Sequence, residues 1–287
     1  MELFFAILFS SFIFVLFKLF PKFQIDTFQA IVVNYFVAFF CGMIFFPFQW
    51  TDLLLVDAKW FGFTLTAAAL FIGLFLNMGI SAQKNGLSST SVAVKMSMAL
   101  SVLGMMLFYS EKIHWLKISG IILAIFGVIG MTLQAKDQNK QASSSWMLLV
   151  LFIGSGFLDF ILNYIQHHIL QKNETAFFTA FAFGLAGLIG VFIAVSLIIK
   201  GKLKPSLRNV AAGILLGIPN YFSIYFLMRA YDVLNWSNSS ILAVINVCIV
   251  LTASLFGLIF FKEKWNRLKI IGFISSLISI LFLYLSV

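Results

Sequence analysis

The chain has 287 residues, 62% of them hydrophobic and only 10% charged, with a formal net charge of +9. A soluble domain carries about 25% charged residues, so this composition excludes an ordinary water-soluble domain. The basic residues are scattered among short connections rather than clustered between aromatics, which excludes a nucleic-acid-binding face and leaves membrane topology and anionic lipid as uses for the charge.

A membrane span needs about 20 mainly apolar residues. Ten runs of this kind lie near 2–20, 28–46, 60–82, 86–109, 115–134, 146–166, 175–199, 209–230, 238–261 and 267–287. The expected fold is therefore all-α: a polytopic membrane protein of ten transmembrane helices, with 36 Phe residues suited to a lipid-facing exterior. The first run starts directly after Met1-Glu2. It has no basic n-region and no small-residue cleavage site, so it reads as a retained span rather than a signal peptide. The connections are short, and the most polar is AKDQNKQASSS, residues 135–145. It separates a first five-helix repeat, 1–134, from a second, 146–287.

The two halves carry a common motif. Residues 108–120 read FYSEKIHWLKISG and residues 260–272 read FFKEKWNRLKIIG, in register at an offset of 152. The informative matches are Glu111 with Glu263, Lys112 with Lys264, Lys117 with Lys269 and Gly120 with Gly272. Both glutamates are read as structural, closing the turn between the last two helices of each half. Five spans is an odd number, so a copy that follows directly lies upside down in the bilayer. Such inverted repeats place the substrate site near the midplane, at the repeat interface.

An even number of spans puts both termini on one side. Leaving out Lys95, five of the 19 basic residues (Lys59, Lys112, Lys117, Lys172 and Arg229) lie near that side and thirteen near the other. The positive-inside rule then places both termini outside the cytoplasm.

Lys95 is the first candidate for function. A lysine at the centre of a span costs roughly 2.5–3.5 kcal/mol to insert, and a charge at that depth usually marks a substrate or ion path. Ser91, Lys95, Met98 and Val102 share one helical face. The opposing reading is snorkelling, since Lys95 lies nine residues from Gly86, about 13 Å of helical rise. Asp159 is the only acidic residue deep in a span, and with Asn163 and Gln166 it forms one polar face, extended by Ser155. Its carboxylate suits pairing with Lys95, carrying a proton or binding an amine; a polar clamp between helices is the structural alternative. In the eighth span Pro219 is expected to loosen the helix where Asn220 and Tyr221 follow, as suits a midplane site. Asn34, Asn77 and Asn246 stand alone in their spans and read chiefly as helix–helix contacts.

Cys41 and Cys248 read as packing residues, and His114, His167 and His168 lack the companions of a metal site. No cofactor is expected. The phosphate-binding pattern G-x-x-x-x-G-K-[ST] is missing, which argues against ATP-driven transport by this chain alone. His167, His168 and Glu174 have no nucleophile partner, so an integral membrane enzyme is disfavoured. A passive channel or membrane scaffold is the remaining alternative.

Ten short spans in two five-span halves, with a Glu-Lys turn before the last span of each, resemble the drug/metabolite transporter superfamily, EamA-like branch. The most specific pieces are SSTSVAVKMSM (88–98) with YSEK (109–112), GSGFLDFILNYIQ (154–166) and GIPNYFSIYFLMRA (217–230). The resemblance covers essentially the whole chain. It implies a monomeric or weakly dimeric transporter of small metabolites, with a cavity lined by the first, third, fourth, sixth, eighth and ninth spans. That cavity would gather Lys95, Asp159, Asn163, Asn220 and Tyr221. The chain is similar, more distantly, to the triose-phosphate translocators, in which a lysine at the position matching Lys95 contacts an anionic substrate. Those proteins also use basic residues in the ninth span, where the offset from Lys95 lands on Val247 beside Asn246, which puts phosphate exchange in doubt. The family keeps both termini in the cytoplasm, opposite to the charge count. The expected function is a secondary transporter in the cytoplasmic membrane, working by alternating access with proton coupling or substrate exchange. Lys95 suits a carboxylate or phosphate and Asp159 an amine; together they suit a zwitterion such as an amino-acid-like metabolite.

Overall fold

A computed structural model describes residues 1–45, 58–108, 115–132, 145–169, 175–234 and 238–285. All regular structure among the described residues is helical. Helix α1 spans Glu2–Leu19 and runs into a short 3-10 turn, Phe20–Phe23; then come α2 Thr27–Phe45 and α3 Ala58–Lys84. Helices α4 Leu87–Met96, α5 Met98–Phe108 and α6 Trp115–Thr132 follow. The remainder is α7 Ser145–His168, α8 Thr175–Ile199, α9 Leu207–Val233, α10 Asn238–Ile259 and α11 Arg267–Leu285. The polar linker, apart from Ser145 at the start of α7, and the first Glu-Lys turn, Glu111 and Lys112, lie outside the described residues.

Among the described residues, seven helical segments are long and apolar enough to cross a membrane, and three shorter apolar ones lie at Trp115–Met131, Trp146–Leu162 and Val244–Ile259. Burial is arranged as in a protein dissolved in lipid. Ser88, Ser89, Thr90 and Ser91 are shut away from solvent, while Phe126, Phe192 and Ile199 stand exposed. In water so much outward-facing apolar surface would drive aggregation; in a bilayer it is the solvated face.

One expectation about helix integrity is corrected. The fourth span is not one helix over 86–109 but two, α4 and α5, parted at Ser97. In the eighth span Pro219 sits inside the helix α9, which continues through it. In lipid a proline is tolerated within a helix because nearby groups take up the freed carbonyl, so its presence alone does not make a break.

The chain forms two compact units. Each draws on both sequence halves, so packing does not follow the boundary at the polar linker. One unit comprises 1–19, 77–160 and 223–287; the other comprises 20–76 and 161–222. In the first, α6 lies along α11 at very close range. A Cβ on Gly130 would stand 2.7 Å from Gly272 Cα, and one on Gly272 would stand 2.8 Å from Gly127 O. Ser279 Oγ donates to Gly120 O at 2.7 Å across the same seam. Without a hydrophobic force between helices in lipid, such small-residue seams supply the packing. Val92, Met96 and Ala99 extend this core toward Ile121, Val128 and Ile280.

In the second unit α2 packs on α8. Gly184, Gly187 and Gly190 of α8 receive Phe39, Phe36 and Val32, while Gly213 and Gly217 of α9 receive Val33 and Val37. Trp60 stacks on Phe177 with ring centroids 5.6 Å apart. The starts of α2 and α9 are joined by side-chain hydrogen bonds. Asp26 N donates to Asn209 Oδ1 at 3.0 Å, and Asn209 Nδ2 donates to Gln29 Oε1 at 3.0 Å.

Candidate functional site

The site is built on α4, in the first unit. Gly86 precedes the helix with φ 95°, a left-handed value that glycine adopts without strain. No side chain from its own segment caps the helix. The orphan amides of the first turn are met instead by Glu263, which follows α10. Its carboxylate accepts from Leu87 N, from Ser88 N at 3.3 Å and from Ser88 Oγ at 2.8 Å. A negative group there also complements the positive end of the helix dipole. Glu263 is thus structural, as expected, but it holds the start of α4, 175 positions away for Ser88, in addition to folding its own turn through Glu263 N and Gly257 O at 2.9 Å.

Ten residues later α4 ends. Lys95 lies in its last turn and is half-buried. Ser97 terminates the helix; its hydroxyl donates back to Val94 O at 2.6 Å. Serine back-bonding of this kind competes with the backbone ladder and bends helices. The next amide bonds are drawn in, with Leu100 N reaching Ser97 O at 2.9 Å in a 3-10 pattern before α5 is established.

Helix α7 closes on this junction. A Cβ on Gly156 would lie 2.7 Å from Leu100 Cβ and 2.9 Å from Ser97 O, and one on Gly104 would lie 2.8 Å from the Phe160 ring. Gly156 therefore lets the helices meet, and Asp159, one turn further on, arrives at the break. Asp159 Oδ2 lies 3.4 Å from Ser97 Oγ, and its carboxylate is the opposite charge that acts on Lys95. No ammonium–carboxylate contact within 4.0 Å joins the two among the described residues. The Asp159 residue is exposed at the surface of the protein. From α10, the buried Asn246 donates to Met98 Sδ at 3.5 Å, beside the same break.

The structure therefore brings Lys95 and Asp159 together. Ser91 does not join them: it is fully buried and its hydroxyl donates to Ser88 O at 3.0 Å within its own helix. Its helical-face relation to Lys95 is real, but its hydrogen is already used. Asn220 and Tyr221 belong to the second unit, where both are buried and Tyr221 stacks on Phe45 at 5.9 Å. The side chain of Asn163 lies outside the described residues. Ser97 and Asn246 enter as members that sequence reasoning passed over or ranked low. The available signal was a serine two residues after an intramembrane lysine.

The fold and this charged helix break define a multi-pass α-helical membrane protein. No family model matches the sequence. The chain is similar to an uncharacterized protein of Haemophilus influenzae (strain ATCC 51907 / DSM 11121 / KW20 / Rd), 26% identical over 292 positions that cover 99% of this chain and 97% of that one.

Proposed function

We propose that this protein is a secondary transporter that moves a small organic metabolite across the cytoplasmic membrane by alternating access, built as ten spans in two inverted repeats of the drug/metabolite transporter type. The observation that carries the reading is the juxtaposition of Lys95 and Asp159 at an interrupted helix. Broken spans with exposed helix ends are the usual seat of substrate and ion binding in secondary transporters. An uncompensated pair of ionisable groups at that depth is otherwise costly. Two groups of opposite charge near one helix junction suit a solute bearing both a carboxylate and an amine.

Repetition is supported by correspondences at the offset of 152. Helix α6, Trp115–Thr132, corresponds to α11, Arg267–Leu285, and the joint span of α4 and α5 corresponds to α10. Moved by 152 positions, the pair Gly120–Ser279 becomes Gly272–Gly127, and Gly120–Leu283 becomes Gly272–Met131. Both members of each exchange are close contacts. Helices α2 and α8, which also correspond, pack on each other in the second unit.

The test begins with a thermal-shift screen of metabolites on the purified protein, followed by uptake of the hits into proteoliposomes. Lys95→Ala and Asp159→Asn are each expected to abolish uptake in protein that remains folded and inserted. Saturation and counterflow separate a carrier from a channel. Wild-type rates in both variants would remove this pair from the mechanism.

A further inference from the structure

The Ser97 hydroxyl has one hydrogen and two acceptors within reach: Val94 O at 2.6 Å and Asp159 Oδ2 at 3.4 Å. It is 1% exposed, so water does not supply a second donor. We propose that Ser97 is a positioning residue that couples the state of the Asp159 carboxyl to the break between α4 and α5.

The coupling follows from hydrogen-bond bookkeeping. An ionised carboxylate only accepts, whereas a protonated one has an O–H to give. When Asp159 is ionised and free of ligand, it competes with Val94 O for the single Ser97 hydrogen. If Asp159 wins, the back-bond to Val94 O is lost, and with it a contact of the kind that bends helices, which favours the ordinary helical bond from Met98 N to Val94 O. That change would carry the ladder through the break. When Asp159 is protonated, or when its charge is taken up by a bound amine, the competition ends. A protonated Asp159 donates to Ser97 Oγ, the Ser97 hydrogen stays on Val94 O, and the break is held open. Lys95, in the last turn of α4, is the charged group that acts on Asp159 among the described residues, and the polar neighbour Ser97 carries no charge. Lys95 would therefore be moved by whatever moves the break. The proposal rests on the transport reading only in treating Asp159 as a group that changes state.

The experiment needs no substrate. Amide hydrogen exchange is measured for the segment 98–101 in the full-length protein in liposomes, for wild type, Asp159→Asn, Ser97→Ala and the double variant. The asparagine carboxamide mimics the protonated acid, being neutral and able to donate. Asp159→Asn is expected to change exchange in this segment roughly two- to tenfold, the worth of one net hydrogen bond, when Ser97 is present, and to leave it unchanged in the Ser97→Ala background. Ser97→Thr should behave as wild type. Ser97→Cys, similar in size but a weak donor, should behave as alanine and serves if Ser97→Ala does not fold. An equal effect of Asp159→Asn with and without the hydroxyl would overturn the proposal, as would no effect in wild type. Because the readout is independent of uptake, its failure is distinguishable from failure of the transport assay.

Discussion

Removing the Glu263 carboxylate is expected to loosen α4 from its first turn. Glu263→Ala deprives Leu87 N, Ser88 N and Ser88 Oγ of a common charged acceptor. A hydrogen bond to a charged group contributes about 1.5–3 kcal/mol net, and a carboxylate at a helix start adds about 0.3–1 kcal/mol through the dipole. The three bonds share one acceptor group, and Glu263 is only half-buried, so water replaces part of what is lost and the terms do not add. The loss is expected to be about 2–3 kcal/mol. At roughly 2–4 °C per kcal/mol for a chain of this size class, the melting temperature should fall by about 5–10 °C. Glu263→Gln keeps an accepting oxygen without the charge and should fall by about half as much. The assay is thermal unfolding of the purified protein in detergent, together with amide exchange at Leu87 and Ser88. An unchanged melting temperature with unchanged exchange at those two amides would refute the reasoning. The same contact is tested from its other side by Gly86→Ala: the added Cβ would stand 2.6 Å from Glu263 Oε1 at a φ of 95°, so this variant should also melt early.

Asn34 is fully buried on α2, and neither end of its carboxamide has a hydrogen-bond partner among the described residues. Asn34→Leu should stabilise the protein by about 1–3 kcal/mol, read as a higher melting temperature. Gly130→Leu should do the reverse, because its Cβ begins 2.7 Å from the Gly272 backbone; a loss of about 1–3 kcal/mol or more should appear as early unfolding and reduced recovery of monodisperse protein. Ser279→Ala removes one interhelical bond across that seam and should cost only about 0.6 kcal/mol, close to the limit of a thermal scan.

The helices were legible because hydrocarbon thickness imposes a minimum run of apolar residues on any span. The run at 60–82 became Ala58–Lys84, and that at 267–287 became Arg267–Leu285. Lys95 and Asp159 were legible for the same reason, since a charge in such a run is conspicuous. The break at Ser97 was not, because a serine in an apolar helix looks alike whether it bonds within an intact turn or ends one. Ser91 and Ser97 both donate three residues back, yet only the second parts the helix. Pro219 lacks a backbone donor, and α9 continues through it. The cap by Glu263 joins positions far apart in sequence, and no local pattern records such a partner.

Helix α4 has ten residues, about 15 Å of rod, half the roughly 30 Å hydrocarbon layer. One end is clasped by a loop carboxylate and the other abuts a hydroxyl beside the charged pair. A tug on the loop holding Glu263 would thus act on a short helix whose last turn carries Lys95. An antibody fragment or cross-link applied at that loop would be one short helix away from Lys95.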